Sequence, residues 1–310
     1  VDTGTYTEQV LIDNILGAGP NSTITFQSAN GDSTGVVLEW TATSNTDNFT
    51  LKLNGADYIT IKGITIKALN TSYATVVELI GGAIHNTFEN NIILSIGTSS
   101  YNRCVYDYNT LNNYNTYRNN IMTGGYYGMY IYGGGSSSLQ KGTVIEDNDI
   151  SDFYYYGINS YYQDSAQITG NYIHDMNASA AYGYGLYTYY FYNGFNISNN
   201  KVVLTPSNYG YGMMIYYANY YYYATANMAG GLVSNNFIVV NPPSTSTGSS
   251  YGLYAYYSDN VDYYYNSINI IGGSTTGRAL YQYNTTLNAT GQTFKNNIFS
   301  MNGPGYAAYY

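Results

Sequence analysis

A six-residue pattern, apolar, any, Asn, Asn, any, apolar, returns eight times along the chain and limits how it can fold. The copies are Phe88 to Ile93, Tyr117 to Met122, Ile145 to Ile150, Ile168 to Ile173, Ile197 to Val202, Val233 to Ile238, Tyr263 to Ile268 and Phe294 to Phe299; an earlier, degenerate one is Ile61 to Ile66. The second Asn falls at 91, 120, 148, 171, 200, 236, 266 and 297, a step of 23 to 36 residues. Recurrence at that period marks stacked structural units. Two short strands meeting at a two-residue corner need one residue in the left-handed backbone region, which Asn tolerates better than most. Coils stacked at the strand spacing of about 4.8 Å would bring the amides into a ladder, each donating to the next.

A second pattern runs between these corners: small, aliphatic, any, any, Tyr. It ends at Tyr108, Tyr132, Tyr161, Tyr189, Tyr216, Tyr256, Tyr283 and, more loosely, Tyr309. Position two is Val105, Met129, Ile158, Leu186, Met213, Leu253 and Leu280, so by strand alternation it points into a core. Positions three and five then face outward. Position three holds Tyr106, Tyr130, Asn159, Tyr187, Met214, Tyr254 and Tyr281, and one face is predicted to be paved with phenols. Tyr127, Tyr156, Tyr184, Tyr211 and Tyr251 precede a Gly at position one, where glycine allows a positive φ or close backbone approach.

Each repeat therefore reads as three short strands, and the chain as an all-β parallel β-helix, a solenoid of about ten coils and roughly 50 Å. Residues 1–58 are expected to form an N-terminal cap with the first irregular coils, and 59–310 the regular ones, in a single domain. Insertions are expected at 217–231, which contains the run of tyrosines at 220–223, and at 240–250.

On these motifs the chain resembles the right-handed parallel β-helix superfamily, in which pectate lyases, polygalacturonases and phage tailspikes share the coil and an internal Asn ladder. The segments "GTYTEQV", "ITFQSANGDSTGVVLEW", "LNGADYITIKGITI" and "TFENNII" look more closely like the secreted β-helix proteins of Bacteroidota-type bacteria. That resemblance implies the fold, and an extracellular or cell-surface location.

Composition narrows the partners. Lys and Arg number 9 against 18 Asp and Glu, with no basic stretch, which argues against nucleic acid and anionic polysaccharide. No apolar run reaches the roughly 20 residues of a membrane span, and no signal peptide is present, so the chain reads as a mature or excised form. The single Cys104 excludes an intramolecular disulfide and is expected to be a small buried residue.

The resemblance to β-helix lyases and glycosidases directs attention to carboxylates and bases, which the sequence disperses. Asp147, Asp149, Asp152 and Glu146 share one corner as a possible calcium site, without an arginine predicted beside them. Asp107 is the one acid of the tyrosine strand, and its parity points inward; Asp164, Asp175, Asp259 and Asp262 share no column. His85 and His174 read as incidental polar residues. No catalytic residues, cofactor or metal are assigned. The first reading is self-association through the tyrosine face, plausibly into a fibre, helped by an open strand edge at 305–310. The second is adhesion to a neutral polysaccharide, with rings stacking on sugars, and the third, by fold analogy, a polysaccharide lyase or hydrolase.

Overall fold

The computed structural model describes residues 1–108, 111–220, 228–284 and 291–310. It is a parallel β-solenoid of three sheets with 11, 12 and 10 strands, each crossed ten or eleven times by the chain. One coil shows the plan: Thr116–Arg118 enters the Asn corner, Ile121–Gly124 leaves it, and Tyr127–Tyr132 is the tyrosine strand. Every pairing along these sheets is parallel. The only helical turn among the described residues is a 3-10 turn at Asn45–Asp47. No helix among the described residues is long and apolar enough to cross a membrane.

Residues 1–58 contribute strands to the coil stack. Gly4–Thr7 already pairs with Val36–Trp40, and Val10–Asp13 with Leu51–Asn54, in the same sheets that hold the later strands. Residues 1–58 thus belong largely to the stack.

The corner chemistry is the predicted one, with the two asparagines dividing the work. The first takes the left-handed backbone: φ is 56° at Asn90, 52° at Asn119, 59° at Asn199 and 54° at Asn235, with Asp147 (52°) and Gly170 (70°) as equivalents. The second turns inward and forms the ladder Asn91, Asn120, Asn148, Asn171, Asn200, Asn236, Asn266, Asn297, in which Nδ2 donates to the next Oδ1 at 2.9–3.1 Å. From Asn120 onward each Oδ1 also accepts from the preceding Asn N–H, and each Nδ2 donates to a backbone carbonyl such as that of Phe88. A fully satisfied polar column can thus run through the core beside Ile93, Met122, Ile150 and Ile173, all fully buried.

The glycines that open the tyrosine strand serve close packing. None of Gly128, Gly157, Gly185, Gly212 and Gly252 has positive φ. A Cβ on Gly185 would come within 2.3 Å of Val202 Cγ1 and 2.6 Å of the Gly212 carbonyl, and the other four are as tight. Cys104, at the same position, is fully buried as expected, and burial pushes its thiol up to about 12.

Candidate functional site

The tyrosine sheet collects the aromatic residues of successive coils on its outer side. Position five forms an unbroken column: ring centroids are 5.4 Å apart for Tyr108 and Tyr132, then 5.5, 5.3, 5.2, 4.3 and 5.0 Å through Tyr161, Tyr189, Tyr216, Tyr256 and Tyr283. The first three pairs are tilted by 40–57° and the last three are stacked within 18° of parallel, contacts that each add about 0.5–1.5 kcal/mol. Position three supplies Tyr106, Tyr130, Tyr187, Tyr254 and Tyr281, interrupted by Met214 and by Asn159, which keeps the outward register but is covered by the surrounding rings.

Tyr309 belongs to this second column and not to the first. The last strand pairs Arg278 with Tyr306, Leu280 with Ala308 and Tyr281 with Tyr309, whose ring lies 5.3 Å from that of Tyr281. The segment is displaced by two residues from the motif alignment. A two-residue shift preserves which side chains face outward, so hydrophobic alternation cannot detect it.

Two further columns flank these. Tyr127, Tyr156, Tyr184, Tyr211 and Tyr251 stack at 4.5–5.3 Å, and the register places Arg103 at one end of their column and Arg278 at the other. On the opposite edge, Tyr162, Tyr190, Tyr217 and Tyr257 stack at 5.0–5.4 Å. They meet position five edge-on, with interplanar angles of 83°, 86° and 88° for Tyr189–Tyr190, Tyr216–Tyr217 and Tyr256–Tyr257. All four adopt φ of 46–56°, where a bulky side chain costs about 1–2 kcal/mol. The ring contacts offset that cost. The tyrosines at 221–223 lie outside the described residues.

The rings largely cover one another, and most of these tyrosines are half-buried. Burial pushes the hydroxyls of Tyr106, Tyr126 and Tyr211 up to about 12, and those of Tyr130, Tyr156, Tyr187 and Tyr254 upward too. The strip is therefore uncharged near neutral pH, with hydroxyls able to donate and accept. Arg103 is its cation at one end, 3.9 Å from the Tyr106 ring centroid, with Nε buried and without a hydrogen-bond partner. It borders a polar recess of about 230 Å³ with Asn45, Asn48 and Glu78, and Glu78 pairs with Lys52 at 2.7 Å.

The acids separate as the sequence implied, with one exception. Asp107 is fully buried beneath the strip, accepting from Asn112 Nδ2 at 2.6 Å, Gln140 Nε2 at 3.0 Å and the Tyr117 hydroxyl at 3.1 Å. Desolvation lifts it to about 6 against these donors. Asp147, Asp149 and Asp152 assemble no metal cluster among the described residues. The histidines are better integrated than expected. His174 bridges Asp149 and Asp175, both at 2.8 Å, and stacks on Tyr172, while His85 lies between Tyr58 and Tyr114 at 4.8 Å from each. The left-handed aromatic column was signalled by a second Tyr directly after position five at 162, 190, 217 and 257, whereas nothing in the spacing joined His174 to Asp149.

The family model described as a right handed beta helix region matches residues 51–229. No curated protein matches the chain. Among solved structures, pectate lyase Pel9A is similar over 84% of this chain and 68% of its own, at a TM-score of 0.52 and 14% identity. The Dettilon tailspike protein (gp208) is similar over 97% of this chain and 60% of its own, at 0.49 and 12%. An alginate lyase from Paenibacillus sp. str. FPU-7 is similar over 85% and 89%, at 0.41 and 16%. At such identities the likeness is one of fold, and a Bacteroidota-type source is not among these matches.

Proposed function

Because this chain belongs to the right-handed β-helix family, we propose that it acts as an extracellular, polysaccharide-binding rod whose tyrosine sheet is the contact surface. The observation that carries this reading is the continuous, uncharged aromatic strip from Tyr108 to Tyr283, bounded by a second aromatic wall set at right angles to it. The exposed edges of these stacked rings offer apolar contact to sugars, and phenols supply hydrogen bonds at their rim. A chain with net charge −9 and few cations suits a neutral polymer better than an anionic one. Pectate lyase Pel9A, by its name, acts on a polysaccharide; that fits the reading without deciding it.

A second reading is lateral self-association through the same sheet. It draws on the unslipped register from Arg103 to Tyr283, which keeps the strip straight enough for two copies to be apposed along it. The rings already shield one another, so the area demanding a cover is smaller than the tyrosine count suggests, and this ranks it second. Catalysis by analogy with lyases ranks third, since the strip presents phenols where its one acid, Asp107, points inward.

Pull-down on a panel of insoluble neutral polysaccharides, run beside sedimentation velocity, tests the proposal. Retention by at least one polymer with monomeric sedimentation is expected. No retention together with concentration-dependent association would transfer the strip to the second reading.

A further inference from the structure

We propose that the tyrosine sheet is a site of intramolecular dityrosine formation, coupling Tyr184 to Tyr211 and Tyr216 to Tyr256 across neighbouring coils under peroxidase-driven oxidation. The proposal does not depend on what the sheet binds. Among the many ring pairs, these two combine the shortest separations with near-parallel planes: 4.5 Å and 4° for Tyr184–Tyr211, 4.3 Å and 7° for Tyr216–Tyr256. In each pair the two hydroxyls also lie close enough to perturb one another. Parallel rings with their oxygens at the same end bring the ortho carbons of one beside those of the other. All four residues are partly exposed.

The chemistry balances with hydrogen peroxide as the oxidant. Each phenol gives up one electron and one proton to become a phenoxyl radical whose spin density lies partly on the ortho carbons. Two adjacent radicals form a carbon–carbon bond between Cε atoms, and the two displaced ortho hydrogens move to the oxygens to restore both phenols. The pair has lost two electrons and two protons, which reduce one peroxide to two waters. Holding the partners in contact makes this second-order step effectively unimolecular. The rings must swing from stacked toward edge-joined, which their partly exposed tips permit. Cys104, the one thiol, is fully buried with its pKa pushed up to about 12, so it is a poor competing reductant.

The links would staple three successive coils, Tyr182–Tyr192, Tyr209–Tyr216 and Ser250–Tyr256. Tyr216 and Tyr256 flank the two long insertions, so their bond closes the longest loop between neighbouring tyrosine strands. Oxidation would make the solenoid harder to unfold.

The test is oxidation of dilute protein with a haem peroxidase and peroxide, followed by isolation of the monomer. Dityrosine fluorescence is expected in the monomer, with tryptic fragments 142–201 and 202–278 recovered as one covalent species. Tyr184→Phe with Tyr216→Phe keeps the stacked rings but removes one phenol from each pair; most of the monomer's fluorescence and the joined fragments should be lost. Fluorescence confined to dimers, a dark monomer, or a double variant that retains most of the wild-type signal would each overturn the proposal.

Discussion

Asn120 donates through Nδ2 to Oδ1 of Asn148 at 3.0 Å, inside a core where both are almost wholly buried. Asn148 accepts a second bond from the Asn120 N–H and donates to the Tyr117 carbonyl and to Asn171. Asn148→Ala would strand these groups in an apolar interior, at a cost of about 3 kcal/mol or more. Asn297→Ala, at a partly buried end of the ladder, should cost clearly less. Urea titrations with unchanged slope would show the larger drop in midpoint at Asn148.

Gly212 tests the packing of the tyrosine strand. Its φ is ordinary, but an added Cβ would sit 2.3 Å from Ile238 Cγ2 and 2.8 Å from the Gly252 carbonyl. Backbone cannot retreat without parting the coils, so Gly212→Ala should destabilise by about 1–3 kcal/mol. Thermal denaturation would reveal it as a lowered Tm.

Asp107 gives the fold a pH dependence of definite sign. Desolvation raises its native pKa from 3.8 to about 6, against three hydrogen bonds that lower it. Its contribution is complete below about pH 4 and is lost as pH rises through 6, by roughly 3 kcal/mol. Asp107→Asn removes that loss, since Gln140 Oε1, buried and without a partner, can accept from the new amide after a flip. Glu89 works in the opposite sense: its pKa is lowered, chiefly by the Lys62 hydrogen bond, so its contribution is lost as pH falls. The difference between wild type and variant, measured by denaturation from pH 4 to 7, isolates Asp107 and should grow with pH.

Much of this was legible in the residues. The Asn pair fixed both the corner and the ladder because its two positions answer to two separate requirements, a left-handed φ and an inward amide. The outward tyrosines followed from strand parity, as did the inward Asp107. Tyr309 was misplaced because its strand is offset by two residues, which leaves parity intact. The Tyr162 to Tyr257 column could be read from a second Tyr directly after position five, but not its left-handed backbone, since no propensity places an aromatic residue at positive φ; only ring contacts between coils favour it. The partners of Asp107 and the Asp149 partner of His174 come from other strands or coils, and no local pattern joins them.

Tyr190 separates backbone from ring. Its φ of 56° would suit Asn, yet its ring stacks on Tyr162 and Tyr217 and meets Tyr189 edge-on. Three pairs at about 0.5–1.5 kcal/mol each exceed the relief of roughly 1–2 kcal/mol from removing strain. Tyr190→Asn is expected to lower Tm modestly, as calorimetry would show, and to weaken retention on the polysaccharide that binds the wild type.

The central claim is that the tyrosine sheet itself holds a polysaccharide. Isothermal titration of a soluble form of the retained polymer into wild type and into a Tyr161→Ala, Tyr189→Ala, Tyr256→Ala variant measures this directly, with far-UV circular dichroism confirming the coil. Loss of three contact rings should weaken binding by a factor of about a hundred or more, taking about 1 kcal/mol per ring. Equal affinity for the two proteins, with the coil intact, would contradict the account.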